Sequence, residues 1–137
     1  MPTVVPMIAY EDAAAALDWL AKAFGFVETE RMAMDDGSIG HAEMTIGDGL
    51  IMLAEPTKDY ESPRHHRETC AQSSKWQSVP WVVDGFYVQV DDVDAHFKQA
   101  KAAGARILSD PEEGHGARTY RVEDLEGHRW MFATPTE

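Results

Sequence analysis

The segment Gly85-Phe-Tyr-Val-Gln-Val90 repeats, late in the chain, the pattern of Val5-Pro-Met-Ile-Ala-Tyr10. Each segment precedes an acidic pair and then an amphipathic stretch that ends at a glycine, Gly25 or Gly104. The match extends further, because Gly49-Leu-Ile-Met-Leu-Ala-Glu-Pro56 resembles the segment Gly127-His-Arg-Trp-Met-Phe-Ala-Thr-Pro135. A period of about 80 residues is too long for a solenoid and indicates a duplicated supersecondary unit.

The length of 137 residues fits one domain with a substantial hydrophobic core. We therefore expect a single domain over residues 1–137, with a first module at 1–56, a linker at 57–84 and a second module at 85–137. The apolar content of 44% and the four Trp residues indicate a folded protein. The linker is rich in charge and Ser yet contains aromatic residues, so it either packs over part of the protein or simply connects the modules.

Each copy predicts a strand, a helix and then three strands. In the first copy, Asp12 is a suitable N-cap and Gly25 a suitable C-cap for a helix over Ala13–Phe24. The predicted strands of this copy are 3–9, 26–34, 40–46 and 50–54. The second copy predicts a strand at 86–90, a helix at 93–103 capped by Gly104, strands at 106–108, 118–122 and 129–133, and turns around 111–116 and 124–127.

The charge pattern excludes several classes of partner. The formal net charge is -12, and no basic patch offers a footprint for nucleic acid or anionic lipid. An acidic field favours cationic small molecules, or it serves only solubility. No apolar run approaches the roughly 20 residues of a membrane span, and residues 1–10 lack a leader pattern, so we expect a cytoplasmic location. A single cysteine, Cys70, excludes an intramolecular disulfide and a multi-cysteine zinc site.

Three segments carry a family resemblance: Lys22-Ala-Phe-Gly-Phe26, His41-Ala-Glu-Met-Thr-Ile-Gly-Asp48 and Tyr120-Arg-Val-Glu-Asp-Leu-Glu-Gly-His-Arg-Trp-Met-Phe132. Together with the two modules they resemble the vicinal oxygen chelate superfamily of glyoxalase I, bleomycin resistance proteins and extradiol dioxygenases. The chain is most similar to its small glyoxalase-like group of phosphonate-operon type. The resemblance implies an α+β fold of two βαβββ modules, whose curved mixed sheets surround a cavity that is often completed in a homodimer.

The resemblance also implies four metal ligands, one on the first and one on the last strand of each module. Divalent metals need imidazole or carboxylate donors at such positions. Here the corresponding positions hold only apolar residues or glycine: Val5, Met52 or Leu53, Gly85 or Phe86, and Met131. We therefore expect no metal site at these positions and no cofactor.

His41 and Glu43 are the polar candidates for a site. In a strand, residues two apart face the same side. On a concave face, this pair could move a proton, orient a ligand or take part in an unrecognised metal site, whereas on a convex face both would simply be solvated. The remaining histidine candidates are weaker, because they lie in turns or loops: His65, His66, His115 and His128.

Apolar and aromatic residues give the other candidate site. Tyr87 and Gln89 share a face with Gly85, and Arg129 shares one with Met131, while Trp130 and Phe132 are expected beneath the helices. A concavity of this kind suits a drug-sized ligand, unless these side chains fill it themselves as core. The predicted ligand-binding residues are Val5, Met7, His41, Glu43, Met52, Tyr87, Gln89, Arg129 and Met131.

Three functions follow from this pattern. The first is metal-free binding or sequestration of a small organic molecule, cationic or aromatic, as in antibiotic resistance. The second is a lyase, isomerase or dioxygenase, which uses either an unrecognised metal site around His41 and Glu43 or metal-free acid/base catalysis. The third is an interaction module whose cavity is filled by its own side chains.

Overall fold

The computed structural model describes residues 1–136. The chain divides into two compact units, Met1–Ser62 and Pro63–Glu137, and the division lies within the predicted linker. In the described part of the chain, each helix is too short or too polar to cross a lipid bilayer.

The first unit has one helix and a four-stranded sheet. Its elements are β1 (Met7–Ala9), α1 (Ala13–Phe24), β2 (Val27–Ala33), β3 (Ile39–Ile46) and β4 (Gly49–Ala54). The strand order is β1-β4-β3-β2, with β1 parallel to β4 and the other pairs antiparallel.

The second unit repeats this arrangement after two additional helices. Its elements are α2 (Pro63–Thr69), α3 (Ala71–Trp76), β5 (Gly85–Gln89), α4 (Val93–Ala102), β6 (Arg106–Gly114), β7 (Ala117–Glu123) and β8 (Arg129–Pro135). The strand order is β5-β8-β7-β6, with β5 parallel to β8. The predicted α+β class with two βαβββ modules is confirmed, because both mixed sheets have the same topology.

Helix α1 forms where the sequence predicts it. The Asp12 carboxylate accepts the backbone N–H of Ala15, and Gly25 adopts a left-handed conformation with φ 81° that ends the helix. Its buried residues are Ala13, Ala16, Leu17, Leu20, Ala23 and Phe24. The sheet contributes a row of buried residues to the core, namely Ile8, Leu53 and Ala42, which are direct neighbours across three strands. The opposite face of this sheet is therefore left for polar or ligand-facing residues.

The core of the second unit lies between α4 and its sheet. Trp130 and Phe132 are buried there, as predicted. Helix α4 buries His96, whose Nδ1 is 2.6 Å from the Tyr120 hydroxyl and whose ring lies 4.0 Å from the Phe132 ring. The sequence around His96 gives no sign of this burial, because polar side chains usually lie at the surface. Burial raises the pKa of the Tyr120 hydroxyl well above its usual value, so this tyrosine stays protonated.

Two predicted elements have wrong boundaries, and proline is the physical reason for both. Strand β1 begins at Met7 rather than at residue 3. Pro6, directly before it, has no N–H to donate, and only its carbonyl forms a hydrogen bond, which it accepts from the N–H of Met52. The predicted turn at 111–116 is mostly strand, because β6 continues to Gly114 through a register shift between Ser109 and Glu112. Pro111 lies inside this irregularity, where a missing backbone donor is tolerated.

Two smaller corrections concern helices. Helix α4 ends at Ala102 with Ala103 as its C-cap, and Gly104 follows with a positive φ of 92°. The segment predicted as a linker contains helices α2 and α3, which sequence analysis missed because both are short and lack an apolar period. The Gln77 side chain connects the two helices, because its amide donates hydrogen bonds to the Pro63 carbonyl on α2 and to Ser73 Oγ on α3.

Candidate functional site

On the sheet of the first unit, one row of side chains crosses the face opposite the buried core. Met7 is paired with Met52, Met52 with Glu43, and Glu43 with Glu30. Met7 is 80% exposed. The row therefore changes from two thioethers to two carboxylates across four strands.

His41 and Glu43 are in direct contact on β3. The Nε2 atom of His41 lies 2.8 Å from Oε2 of Glu43. This hydrogen bond is the main cause that lowers the pKa of the Glu43 carboxyl. Because an ionised carboxylate can only accept, Nε2 carries the proton and donates it. The stabilisation from this lowered pKa is present at neutral pH and is lost as the pH falls through the folded-state pKa of Glu43.

Glu30 completes a group of three potential metal ligands. One donor atom from each of Glu30, His41 and Glu43 lies within 4.8 Å of the others. An imidazole with two carboxylates is a donor set that zinc accepts, with a further position left for water or substrate. These three residues fit a divalent metal by type and spacing.

A small apolar cavity adjoins this group. Its volume is about 230 Å³, and its lining includes Met7, Gly40, His41, Met52 and Pro56. Three residues of the predicted ligand-binding set, Met7, His41 and Met52, therefore border one hollow. Val5 precedes β1 and does not line it.

A larger polar hollow of about 580 Å³ in the same unit contains several carboxylates, and these bind backbone amides. Glu55 accepts the N–H groups of Ala13 and Ile39, and Glu11 accepts that of Ser62. These carboxylates therefore stabilise the local backbone by accepting its N–H groups. The same role accounts for an acidic residue at position 55, directly after β4, without invoking a metal.

The second unit has the equivalent row on its own sheet. Tyr87 is paired with Met131, and Met131 with Arg121. Tyr87 is 55% exposed. Gln89 lies two residues after Tyr87 on β5, is paired with Ala133, and is also exposed. Tyr87, Gln89 and Met131 thus share a face as predicted, and the structure adds Arg121, which sequence analysis did not single out.

This row borders a cavity of about 290 Å³, which we call the aromatic pocket. Its lining includes Pro80, Trp81, Asp84, Tyr87, Arg121, Arg129 and Met131. Trp81 is 69% exposed, so an indole and a phenol both present apolar surface at this cavity. Part of the predicted linker therefore forms a wall of the pocket.

Arg129 is held in a buried ionic network with Glu123. Its guanidinium donates to Glu123 Oε2 at 2.9 Å and to the carbonyls of Gln77 and Val79, both at 2.6 Å. Glu123 is 1% exposed and also pairs with two other arginines, Arg67 and Arg106. Arg129 therefore positions residues 77–79, and with them the segment that carries Trp81, rather than presenting a free charge to the cavity.

Residues 4–132 match the family model of the Glyoxalase/Bleomycin resistance protein/Dioxygenase superfamily. The chain belongs to this superfamily. Among curated proteins, this superfamily member is 31% identical over 139 residues to protein Rv0887c of Mycobacterium tuberculosis, covering 98% of the chain and 75% of the relative. Protein Mb0911c of Mycobacterium bovis is also 31% identical, with 98% and 84% covered.

Two solved structures share this fold. TioX from Micromonospora sp. ML1 is 33% identical, with a TM-score of 0.71, covering 99% of this chain and 98% of TioX. TnmS3 from Streptomyces sp. CB03234, described as an antibiotic binding protein, is 16% identical, with a TM-score of 0.69 and coverage of 99% and 98%. At that identity, TnmS3 supports the fold alone.

The positions at which superfamily resemblance implies metal ligands do not fit a metal. Met52 on β4 and Met131 on β8 offer thioethers, and Tyr87 and Met7 are their strand partners. Val5, Leu53, Gly85 and Phe86 have no side-chain donor either. A hard divalent cation requires nitrogen or oxygen donors, so no step of chemistry is assigned to a metal at these positions.

The remaining histidine candidates lie on helix α2 or in turns between strands. His65 and His66 lie on α2, where the ring of His66 packs edge-on at 6.3 Å from Trp76. His115 forms the β6–β7 turn with φ 54°, and the N–H of His128 donates to Asp124 in the β7–β8 turn. The thiol of Cys70 caps α3 by accepting the Ser73 N–H.

Proposed function

We propose that this superfamily member binds and sequesters a small organic molecule without using a metal ion. The observation that carries the proposal is the aromatic pocket, where Trp81, Tyr87 and Met131 border a cavity of about 290 Å³. Concave, mostly apolar sites with a few polar groups, of about this volume or larger, are typical of small-molecule binding.

Other features support this proposal. The first unit has its own apolar hollow, which Met7 and Met52 line with unbranched thioethers that adapt to different guests. The fold also occurs in TnmS3, described as an antibiotic binding protein. We propose antibiotic sequestration as the biological role, and aromatic compounds as the first ligands to test. The narrower assignment to the phosphonate-operon group stays a prediction.

Thermal unfolding with a panel of aromatic compounds tests the proposal. A ligand that binds only the folded state at 100 times its Kd adds about 2.7 kcal/mol of stability, so the melting temperature rises with concentration. We expect Tyr87→Ala to reduce this shift, because it removes a ring from the pocket. Lys98→Ala, on the exposed side of α4, is the matched control and should keep it. A broad panel without any shift in the wild-type protein would contradict sequestration.

A second candidate function is metal-dependent lyase, isomerase or dioxygenase chemistry. The observation in its favour is the group of Glu30, His41 and Glu43. Elemental analysis of protein purified without chelator distinguishes the two functions. Metal-free sequestration is expected to show much less than one metal per chain, whereas one metal per chain that disappears in His41→Ala would replace it with the second candidate.

We further propose that the protein is a homodimer in its cytoplasmic setting and binds no nucleic acid. The first unit exposes several large apolar side chains, Val4 at 78%, Met7 at 80% and Met32 and Met34 at 51% each, and uncovered surface of this kind is typical of interfaces. Light scattering at micromolar concentration should give twice the chain mass. A measured mass equal to the 15.3 kDa of one chain would contradict the dimer.

A further inference from the structure

Arg121 occupies a distinctive place in the second unit. It lies on β7 beside Met131, two strands from Tyr87 in the same row, and it lines the aromatic pocket. Its backbone N–H is fixed by Ser109 Oγ at 3.0 Å. The residue is half-buried, so its position is set by the sheet, although its charge still reaches the cavity.

The other arginines of this unit all bind carboxylates. Arg67, Arg106 and Arg129 share Glu123, Arg64 pairs with Glu68, and Arg118 pairs with Asp94. Within residues 1–136, the guanidinium of Arg121 forms no hydrogen bond or ion pair. A half-buried guanidinium without an acidic partner, in a chain of net charge -12, has charge available for a ligand.

The other charged groups of the pocket do not supply that partner. Arg129 is 3% exposed and is compensated by Glu123. Asp84 also lines the cavity, is exposed, and forms no ion pair within 4.0 Å in the described residues. The pocket thus has an unpaired guanidinium and one solvated carboxylate, with Trp81 and Tyr87 as its aromatic surfaces.

We propose that the aromatic pocket selects planar aromatic acids, with Arg121 binding the carboxylate and Trp81 and Tyr87 contacting the ring. This inference rests on the proposed function and names its ligand class. A guanidinium presents a planar fork of donors that matches a carboxylate in two parallel hydrogen bonds. The ring contacts supply apolar area and stacking, which the charge alone does not provide.

Calorimetric titration with three matched probes tests this selection: 2-naphthoate, its neutral analogue 2-naphthamide, and the cation 2-naphthylmethylammonium. We expect the wild-type protein to bind 2-naphthoate about tenfold tighter than 2-naphthamide, because hydrogen bonds between charged partners are stronger than neutral ones. In Arg121→Met this difference should disappear. In Asp84→Asn the affinity for 2-naphthoate should rise, because a repelling charge is removed.

Arg118→Met is the matched control variant. It removes a guanidinium from the same strand, on the face that pairs with Asp94, so it should keep the tenfold preference. Circular dichroism of each variant checks that it is folded. The salt dependence of binding to the wild-type protein is a second measurement. Added salt should weaken 2-naphthoate binding more than 2-naphthamide binding, because it screens the charge interaction.

The outcomes separate this inference from the proposed function. Equal affinity for 2-naphthoate and 2-naphthamide in the wild-type protein would overturn the acid preference and leave organic binding intact. Tightest binding of the ammonium probe, weakened by Asp84→Asn, would overturn it in favour of cations. If none of the three probes binds, while other aromatic compounds raise the melting temperature, only the ligand class is wrong. If those compounds also fail, the proposed function fails with it.

Discussion

Replacing Glu123 with alanine is expected to lower the free energy of unfolding by about 3–5 kcal/mol, the usual cost of removing one partner of a buried ion pair. The substitution leaves Arg129, which is 3% exposed, without its carboxylate, and it also releases Arg67. Urea unfolding followed by circular dichroism measures the loss. We also expect weaker ligand binding, because Arg129 fixes the carbonyls of Gln77 and Val79 ahead of Trp81.

Glu112→Ala is the control for this prediction. Glu112 is exposed on β6, so its removal should change the unfolding free energy by no more than about 0.5 kcal/mol. A loss below about 1 kcal/mol in Glu123→Ala would show that the three arginines do not depend on this carboxylate.

The second large effect is expected for Trp130→Ala, with a loss of about 3–5 kcal/mol. Trp130 is 1% exposed and packs 4.8 Å from the Phe86 ring, so alanine would leave a cavity in the core. Its indole N–H also donates to Asp124 Oδ2 at 3.1 Å. Thermal and urea unfolding both report this loss of stability.

Two variants define the cause of that effect. Trp130→Phe keeps a ring but removes the N–H donor, so a smaller loss of about 1–3 kcal/mol is expected. Trp81→Ala removes an indole that is 69% exposed, and it should weaken ligand binding while leaving stability nearly unchanged. Equal losses in Trp130→Ala and Trp130→Phe would show that the hydrogen bond, rather than packing, dominates.

The elements that local sequence controls were predictable. Helix α1 has the predicted bounds, because Asp12 and Gly25 act through hydrogen bonds and backbone geometry that involve only neighbouring residues. Strand β3, with alternating polar residues, and strand β4, a short apolar run, were predicted to within one residue. The errors at β1 and β6 arose where prolines changed the pairing of a strand with distant residues.

The candidate site was only partly predictable. The pairing of His41 with Glu43 follows from strand alternation, whereas Glu30 joins them through a register that no local pattern reveals. The network of Glu123 connects Arg67 and Arg129 across long separations in sequence. Arg121 could not be recognised from its neighbours in sequence, because its distinguishing property is that its guanidinium lacks a partner in the described structure.

The matched rows of the two sheets have a consequence for how this protein can change over evolutionary time. Met7, Met52 and Glu43 in the first unit correspond by register to Tyr87, Met131 and Arg121 in the second. One position thus bears opposite charges in the two copies, while the backbone ladder around it is the same. The two copies therefore carry different side chains on the same strand arrangement, so each sheet can change at that position by substitution alone. Reversing the charge at Glu43 or Arg121 would therefore change the chemistry of one sheet face without changing the side chains of the other sheet.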